Sequence, residues 1–127
     1  MRSPDEVTVV TDMVFPTQTN HYGTLFGGEA LKLMDKAAFI AASRAVRQFI
    51  VTASIDRTDF KHPVGQGEVA EVLARVVARG RSSITVETQL FSENLITGER
   101  ILCSTAQFVM VAVTAEGRPQ VLVPAHG

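Results

Sequence analysis

One long helix laid against an antiparallel sheet, an α+β plan, is the fold class this chain predicts. Three observations carry it. Residues 29–47 contain no Gly or Pro and are rich in Ala, Leu, Met and Lys, which favour helix. The rest divides into alternating apolar segments bounded by Pro, Gly or Asn. Four of those strands follow the helix in a run with short connections, an order that suits one antiparallel sheet.

Residues 6–15 alternate, with Val7, Val9, Thr11 and Met13 on one face, and read as a strand stopped at Pro16. Residues 16–28 are turn-rich, and the helix follows. Val51, Ala53 and Ile55 alternate with Thr52 and Ser54 in a strand running to about Phe60. Pro63, Gly65 and Gly67 mark a loop. Residues 68–79 allow a helix by alanine spacing, but Ala70, Val72, Ala74, Val76 and Ala78 also form a period-two face. Strand is the better reading, because a short turn, Arg79-Gly80-Arg81, and a cleanly alternating strand come next. Gly98 closes a loop around Asn94. Residues 99–113 are apolar on both faces, which predicts a strand buried on both sides. The core spans about 6–114, and residues 115–127 read as an appended tail.

The chain has 127 residues, 46% of them apolar, enough for one domain with a core. A formal net charge of −1 and the lack of a basic run point away from nucleic acid. Cys103 is the single cysteine, so no intrachain disulfide forms, and it reads as a small buried hydrophobe. The N-terminus lacks a signal pattern, and no apolar run approaches the ~18 residues of a membrane span. The expectation is a soluble, cytoplasmic protein with no membrane partner.

The helix carries the most informative feature. At about 100° per residue, Glu29, Lys32, Lys36, Ser43 and Arg47 share one narrow solvated stripe, and Asp35 lies roughly 90° from its centre. A carboxylate in an apolar site is costly unless paired or hydrogen-bonded. Two readings stay open: a structural acid paired with a cation or capped by backbone donors, and a general base or nucleophile in a cleft. Ahead of it runs Asn20-His21-Tyr22-Gly23-Thr24-Leu25-Phe26-Gly27-Gly28. Gly27 and Gly28 put bare N–H groups at the positive end of the helix dipole, where they suit an oxygen gaining negative charge. Asp35 is about 10 Å further along the axis. A compact site more easily pairs the helix start of one copy with the acid of another, which argues for a symmetric dimer.

The Asn20–Gly28 block, with Leu33-Met34-Asp35-Lys36-Ala37-Ala38 behind it, resembles the hotdog-fold acyl-CoA thioesterases, in the group of bacterial YciA-type enzymes and eukaryotic cytosolic acyl-CoA hydrolases. Val51-Thr52-Ala53-Ser54-Ile55-Asp56, Phe60, Pro63-Val64 and Gly80-Arg81-Ser82-Ser83 extend the likeness over about residues 7–113. The resemblance implies a long helix wrapped by a curved sheet, and a homodimer at least, with hexamers common among relatives. It implies Asn20 and Asp35 as the active pair, given by different protomers; the Gly28 N–H at the helix start is then the donor expected to polarise the thioester carbonyl. Many relatives have an acid where Gln18 stands, a matter of loop packing or substrate preference. Coenzyme A then enters only as part of substrate and product, and no separate cofactor is expected. Its phosphates call for cations and donors, for which Lys61, Arg79, Gly80, Arg81, Ser82 and Ser83 are the candidates; arginines flanking a turn are otherwise ordinarily just solvated.

Other patterns lead less far. Gly65-Gln66-Gly67-Glu68-Val69-Ala70 echoes a dinucleotide fingerprint but precedes a strand. His21, His62 and His126 lack metal-ligand spacing, so no metal is expected. Two rival functions share the fold: an enoyl-thioester hydratase or dehydratase using His21 and Asp35, and a non-catalytic acyl-CoA sensor.

Overall fold

The structure is a computed structural model that describes residues 6–124. Its elements are β1 (Thr8–Met13), a short 3-10 turn (Pro16–Gln18), α1 (Gly27–Val46), β2 (Ile50–Phe60), β3 (Val69–Arg79), β4 (Ser83–Glu93) and β5 (Arg100–Ala112). The segment 68–79, ambiguous by spacing, is a strand because both its edges are used. β3 pairs with β1 on one side and β4 on the other.

All pairings are antiparallel, in the order β1-β3-β4-β5-β2. β2 therefore does not pair with the strand that follows it. It lies at the edge beside β5, and residues 61–68 carry the chain across the end of the sheet. The amides of Lys61 and His62 anchor this crossing, donating to the Cys103 carbonyl at 2.7 and 3.1 Å.

The helix packs on the sheet through small residues. Ala37, Ala38, Ala41 and Ala42 are buried with Met34 against Val72, Ala74, Ile84, Val86, Leu90, Phe108 and Met110. Alanines let the helix backbone approach the sheet closely, and the large sheet residues fill the space between. The helix ends at Arg47, left-handed at φ 53°, whose amide donates to the Ser43 carbonyl.

Two expectations need correcting. β5 is paired on both edges, but only its inner face is fully buried; Leu102, Val109 and Val111 on the outer face are half-buried. The tail, as far as residue 124, is more than an appendage. It turns at Gly117 (φ 85°), bridges back from Pro119 to Val113, and packs Leu122 against the core. His126 lies outside the described residues. No helix among the described residues is long and apolar enough to cross a membrane.

Candidate active site

The edge strand β2 is phased by two irregularities. Its register against β5 shifts between Thr52 and Ser54, and again between Asp56 and Asp59. Arg57 sits in the second with φ 50°, an uncommon conformation for a residue with a side chain. Paired residues in an antiparallel ladder point to the same face. Ile50, Thr52, Ile55 and Phe60 pair with Ala112, Met110, Phe108 and Ser104, which all point toward the helix. Without the shifts, strict alternation would turn Ile55 to the outer face.

This places Thr52 opposite the helix acid. Its hydroxyl donates to Asp35 Oδ1 at 2.7 Å and rests 3.2 Å from Met110 Sδ. A hydroxyl has one proton, and the carboxylate is the stronger acceptor. Among the described residues the Asp35 side chain has no ion-pair partner and no other hydrogen bond. Among the described residues of one chain, neither a cation nor a backbone donor pairs with this acid. Asp35 is half-buried rather than enclosed, and Phe39, one turn on, is 43% exposed. The helix has a second open flank besides the predicted stripe, and that flank runs beside β2.

At the helix start, the first helical bond is Ala30 N–H to the Phe26 carbonyl at 3.0 Å, and Phe26 provides no side-chain cap. The Gly28 amide belongs to the first turn, which has no intrahelical acceptors. A Cβ at Gly28 would meet nothing within 4 Å, whereas one at Gly27 would touch the Phe60 ring at 3.6 Å. The helix start thus lies beside Phe60, the last residue of β2, and the Gly28 side-chain position is open.

Asn20 organises the preceding loop. Its Oδ1 accepts from Tyr22 N at 2.9 Å, from Thr24 N at 3.2 Å and from Thr24 Oγ1 at 3.2 Å. The loop is pinned to the crossing segment by Leu25 N to Val64 O and Gln66 N to Gly23 O. With its oxygen committed to the loop, Asn20 has its NH2 group left to offer a ligand. The His21 ring lies 4.0 Å from that of the exposed Tyr22.

The remaining predicted residues fall into two groups. Lys61 is exposed at the end of β2, the end that holds Asn20 and Gly28. Arg79, Gly80, Arg81, Ser82 and Ser83 form the β3–β4 turn at the opposite end of β3, whose 11 residues span roughly 35 Å. One chain does not bring the two groups together. The turn is closed by Gly80 N to Ser83 O at 2.8 Å, and a Cβ on Gly80 would collide with the Ser83 hydroxyl. Gly65 and Gly67 form a plain turn before β3, with the Gly65 amide held by Glu68 Oε1 at 2.6 Å. No cluster of three His, Cys, Asp or Glu that could hold a metal occurs among the described residues. A cleft of about 100 Å³ between β1 and the solvated stripe, lined in part by Asp12, Glu29, Lys32 and Lys36, includes neither Asp35 nor Asn20. It is smaller than the several hundred Å³ typical of ligand pockets.

Residues 22–99 match the thioesterase superfamily. The chain belongs to that superfamily. It is 40% identical over 111 residues to the uncharacterized acyl-CoA thioester hydrolase YkhA of Bacillus subtilis, covering 87% of this chain and 64% of that protein. The chain therefore spans a little under two thirds of that relative's length. An apo-hexameric acyl-CoA thioesterase superposes with a TM-score of 0.88 at 39% identity, over 94% of this chain and 76% of the other. An acyl-CoA hydrolase from Staphylococcus aureus, solved with butyryl coenzyme A, coenzyme A and coenzyme A disulfide, gives 0.85 at 31%, over 91% and 71%. The helix against five antiparallel strands in this superfamily member is the hotdog fold.

Thr52 is the site residue that sequence reasoning missed. Its signal was slight: a hydroxyl residue on the face of a strand opposite Val51. Which face meets the helix depends on the pairing with β5.

Proposed function

We propose that this thioesterase-superfamily chain hydrolyses acyl-CoA thioesters, in an active site shared between two copies of the chain. The observation that carries the reading is Asp35: a helix carboxylate with one oxygen fixed by Thr52, no cation paired to it among the described residues, and an open flank. The sequence spacing gives independent support. The Staphylococcus aureus enzyme has been solved with an aspartate, an asparagine or a threonine replaced by alanine. In chain order, asparagine to aspartate is 15 residues and aspartate to threonine 17, the spacing of Asn20, Asp35 and Thr52.

In this reading Asp35 takes a proton from water as the water oxygen attacks the thioester carbon. The carbonyl oxygen gains charge and is held by the Gly28 N–H, with the Asn20 amide donating to it or to the water. The C–S bond then breaks, and the proton passes to the departing sulfur. Attack by Asp35 itself, through an anhydride, would use the same residues. Water is the co-substrate, and coenzyme A leaves as product, so the reaction calls for no separate cofactor.

The sharing rests on the fold. β2 is an edge strand with an unpaired backbone row, and Phe39, Phe49, Val51, Ile55 and Phe60 are exposed on it or beside it. Such an edge invites pairing, and exposed apolar clusters of this kind mark interfaces. A two-fold pairing of β2 with its copy runs antiparallel. It carries the partner's β3–β4 turn to the end where Asn20, Gly28 and Lys61 lie. Arg79, Arg81, Ser82 and Ser83 of one chain and Lys61 of the other then flank one coenzyme A. The hexameric relative is consistent with assembly beyond one chain.

Free-thiol release over a chain-length series of saturated acyl-CoAs tests the activity. Wild type should release coenzyme A, and Asp35→Ala should lose at least ~10²-fold in kcat. Water addition to an enoyl-CoA without thiol release would instead identify a hydratase, and ligand binding without turnover a sensor.

A further inference from the structure

The C-terminal strap is wired to the β3–β4 turn. The Leu122 amide donates to the Arg81 carbonyl at 2.9 Å, and Arg79 Nη2 donates to the Val123 carbonyl at 3.2 Å. On its other side the strap is clasped by one side-chain amide, just past the helix end. Gln48 Nε2 donates to the Val121 carbonyl at 3.3 Å, and Gln48 Oε1 accepts from the Val123 amide at 2.9 Å. Leu122, between the two clasped residues, packs on the core. The turn is also tied from beneath, where the Ala112 amide donates to the Ser82 carbonyl at 2.8 Å.

We infer that residues 118–123 form a positioning strap for the coenzyme A-recognising turn, and that Gln48 is its clasp. The inference rests on the proposed role of that turn in binding the nucleotide end of the substrate. A β-turn with two exposed arginines is loose by default, and long cationic side chains lose entropy when they grip a phosphate. Here the strap fixes the Arg81 backbone directly and uses one of the five guanidinium donors of Arg79, leaving the others for phosphate oxygens. Among the described residues the Gln48 side chain makes no hydrogen bond to the turn or to Asn20 and Asp35. It acts through Val121 and Val123 alone. Removing the clasp should therefore weaken recognition of the nucleotide and leave the chemistry intact.

The test compares two thioesters with the same acyl group: the acyl-CoA, and the N-acetylcysteamine thioester, which lacks the nucleotide. Gln48→Leu should raise KM for acyl-CoA about three- to tenfold, the range expected for losing net hydrogen bonds. Its kcat, and both constants for the short thioester, should stay at wild-type values. Gln48→Glu keeps the acceptor for Val123 but sets a carboxylate oxygen against the Val121 carbonyl, so it should also raise KM for acyl-CoA alone, and it serves if the leucine variant folds poorly. Arg81→Ala reports on the turn itself and should raise KM for acyl-CoA alone. If Arg81→Ala raises KM but neither Gln48 variant does, the strap is overturned and the turn's role stands. If Arg81→Ala changes nothing, the turn does not read the nucleotide and the strap inference falls with it. Equal changes for both thioesters in the Gln48 variants would assign Gln48 to fold stability and also overturn it.

Discussion

Asp35 and Asn20 each have one polar atom committed to the protein and one left over. For Asp35, Oδ1 is held by Thr52 at 2.7 Å and the second oxygen has no protein partner among the described residues. Thr52→Val keeps the shape of the side chain but removes that donor. It should lower kcat by roughly tenfold, as a misoriented base does, with a melting midpoint near wild type because the site is half-open. For Asn20 the committed atom is Oδ1, with three donors from Tyr22 and Thr24. Asn20→Asp keeps that acceptor and deletes the amide donor, whereas Asn20→Ala deletes both. The aspartate variant should melt close to wild type yet lose ~10²–10³ in kcat. Normal activity in that variant would show that the loop geometry, not the NH2 group, is what matters at this position.

At the scale of elements, the helix start and the edge strand build the groove together. Pro is tolerated in the first helical turn and has no N–H. Gly28→Pro therefore removes the proposed oxyanion donor where no neighbour is crowded, and kcat should fall ~10²–10³-fold while the helix signal in circular dichroism persists. In β2, Arg57 at φ 50° holds the second register shift. Arg57→Val should destabilise by about 1–2 kcal/mol in denaturant melts, because a β-branched side chain resists positive φ; Arg57→Gly should stay within ~1 kcal/mol of wild type. These shifts also explain what was legible. The helix and strands could be read because periodicity and Gly/Pro punctuation are local signals, and Asn20, Gly28 and Asp35 stood out on one helix and its leading loop. Thr52 could not be singled out, because Val51, Ala53 and Ile55 look like a regular alternation, while the pairing with β5 puts Ile55 and Thr52 on one face. The place of β2 at the sheet edge, and the docking of the tail through Gln48, are likewise long-range facts that no local pattern encodes.

For the whole molecule, the decisive feature is that one chain separates the residues that the proposed chemistry would bring together. Asn20, Gly28 and Lys61 stand at one end of the sheet, the β3–β4 turn at the other, and Asp35 on the helix flank beside an unpaired edge. Phe49 and Phe60, 70% and 53% exposed, lie along that same side. In the proposed dimer, a second copy related by a two-fold axis would cover the edge and supply the other half of each site. The direct test mixes two separately inactive variants, Asn20→Ala and Asp35→Ala, under conditions that exchange subunits. In a mixed dimer one site then combines the intact Asn20 of one chain with the intact Asp35 of the other. Half the dimers are mixed and each has one working site, so thioesterase activity should recover to about one quarter of wild type. If both residues serve within a single chain, every site in the mixture lacks one of them, and activity that stays at the level of the separate variants would contradict the shared site.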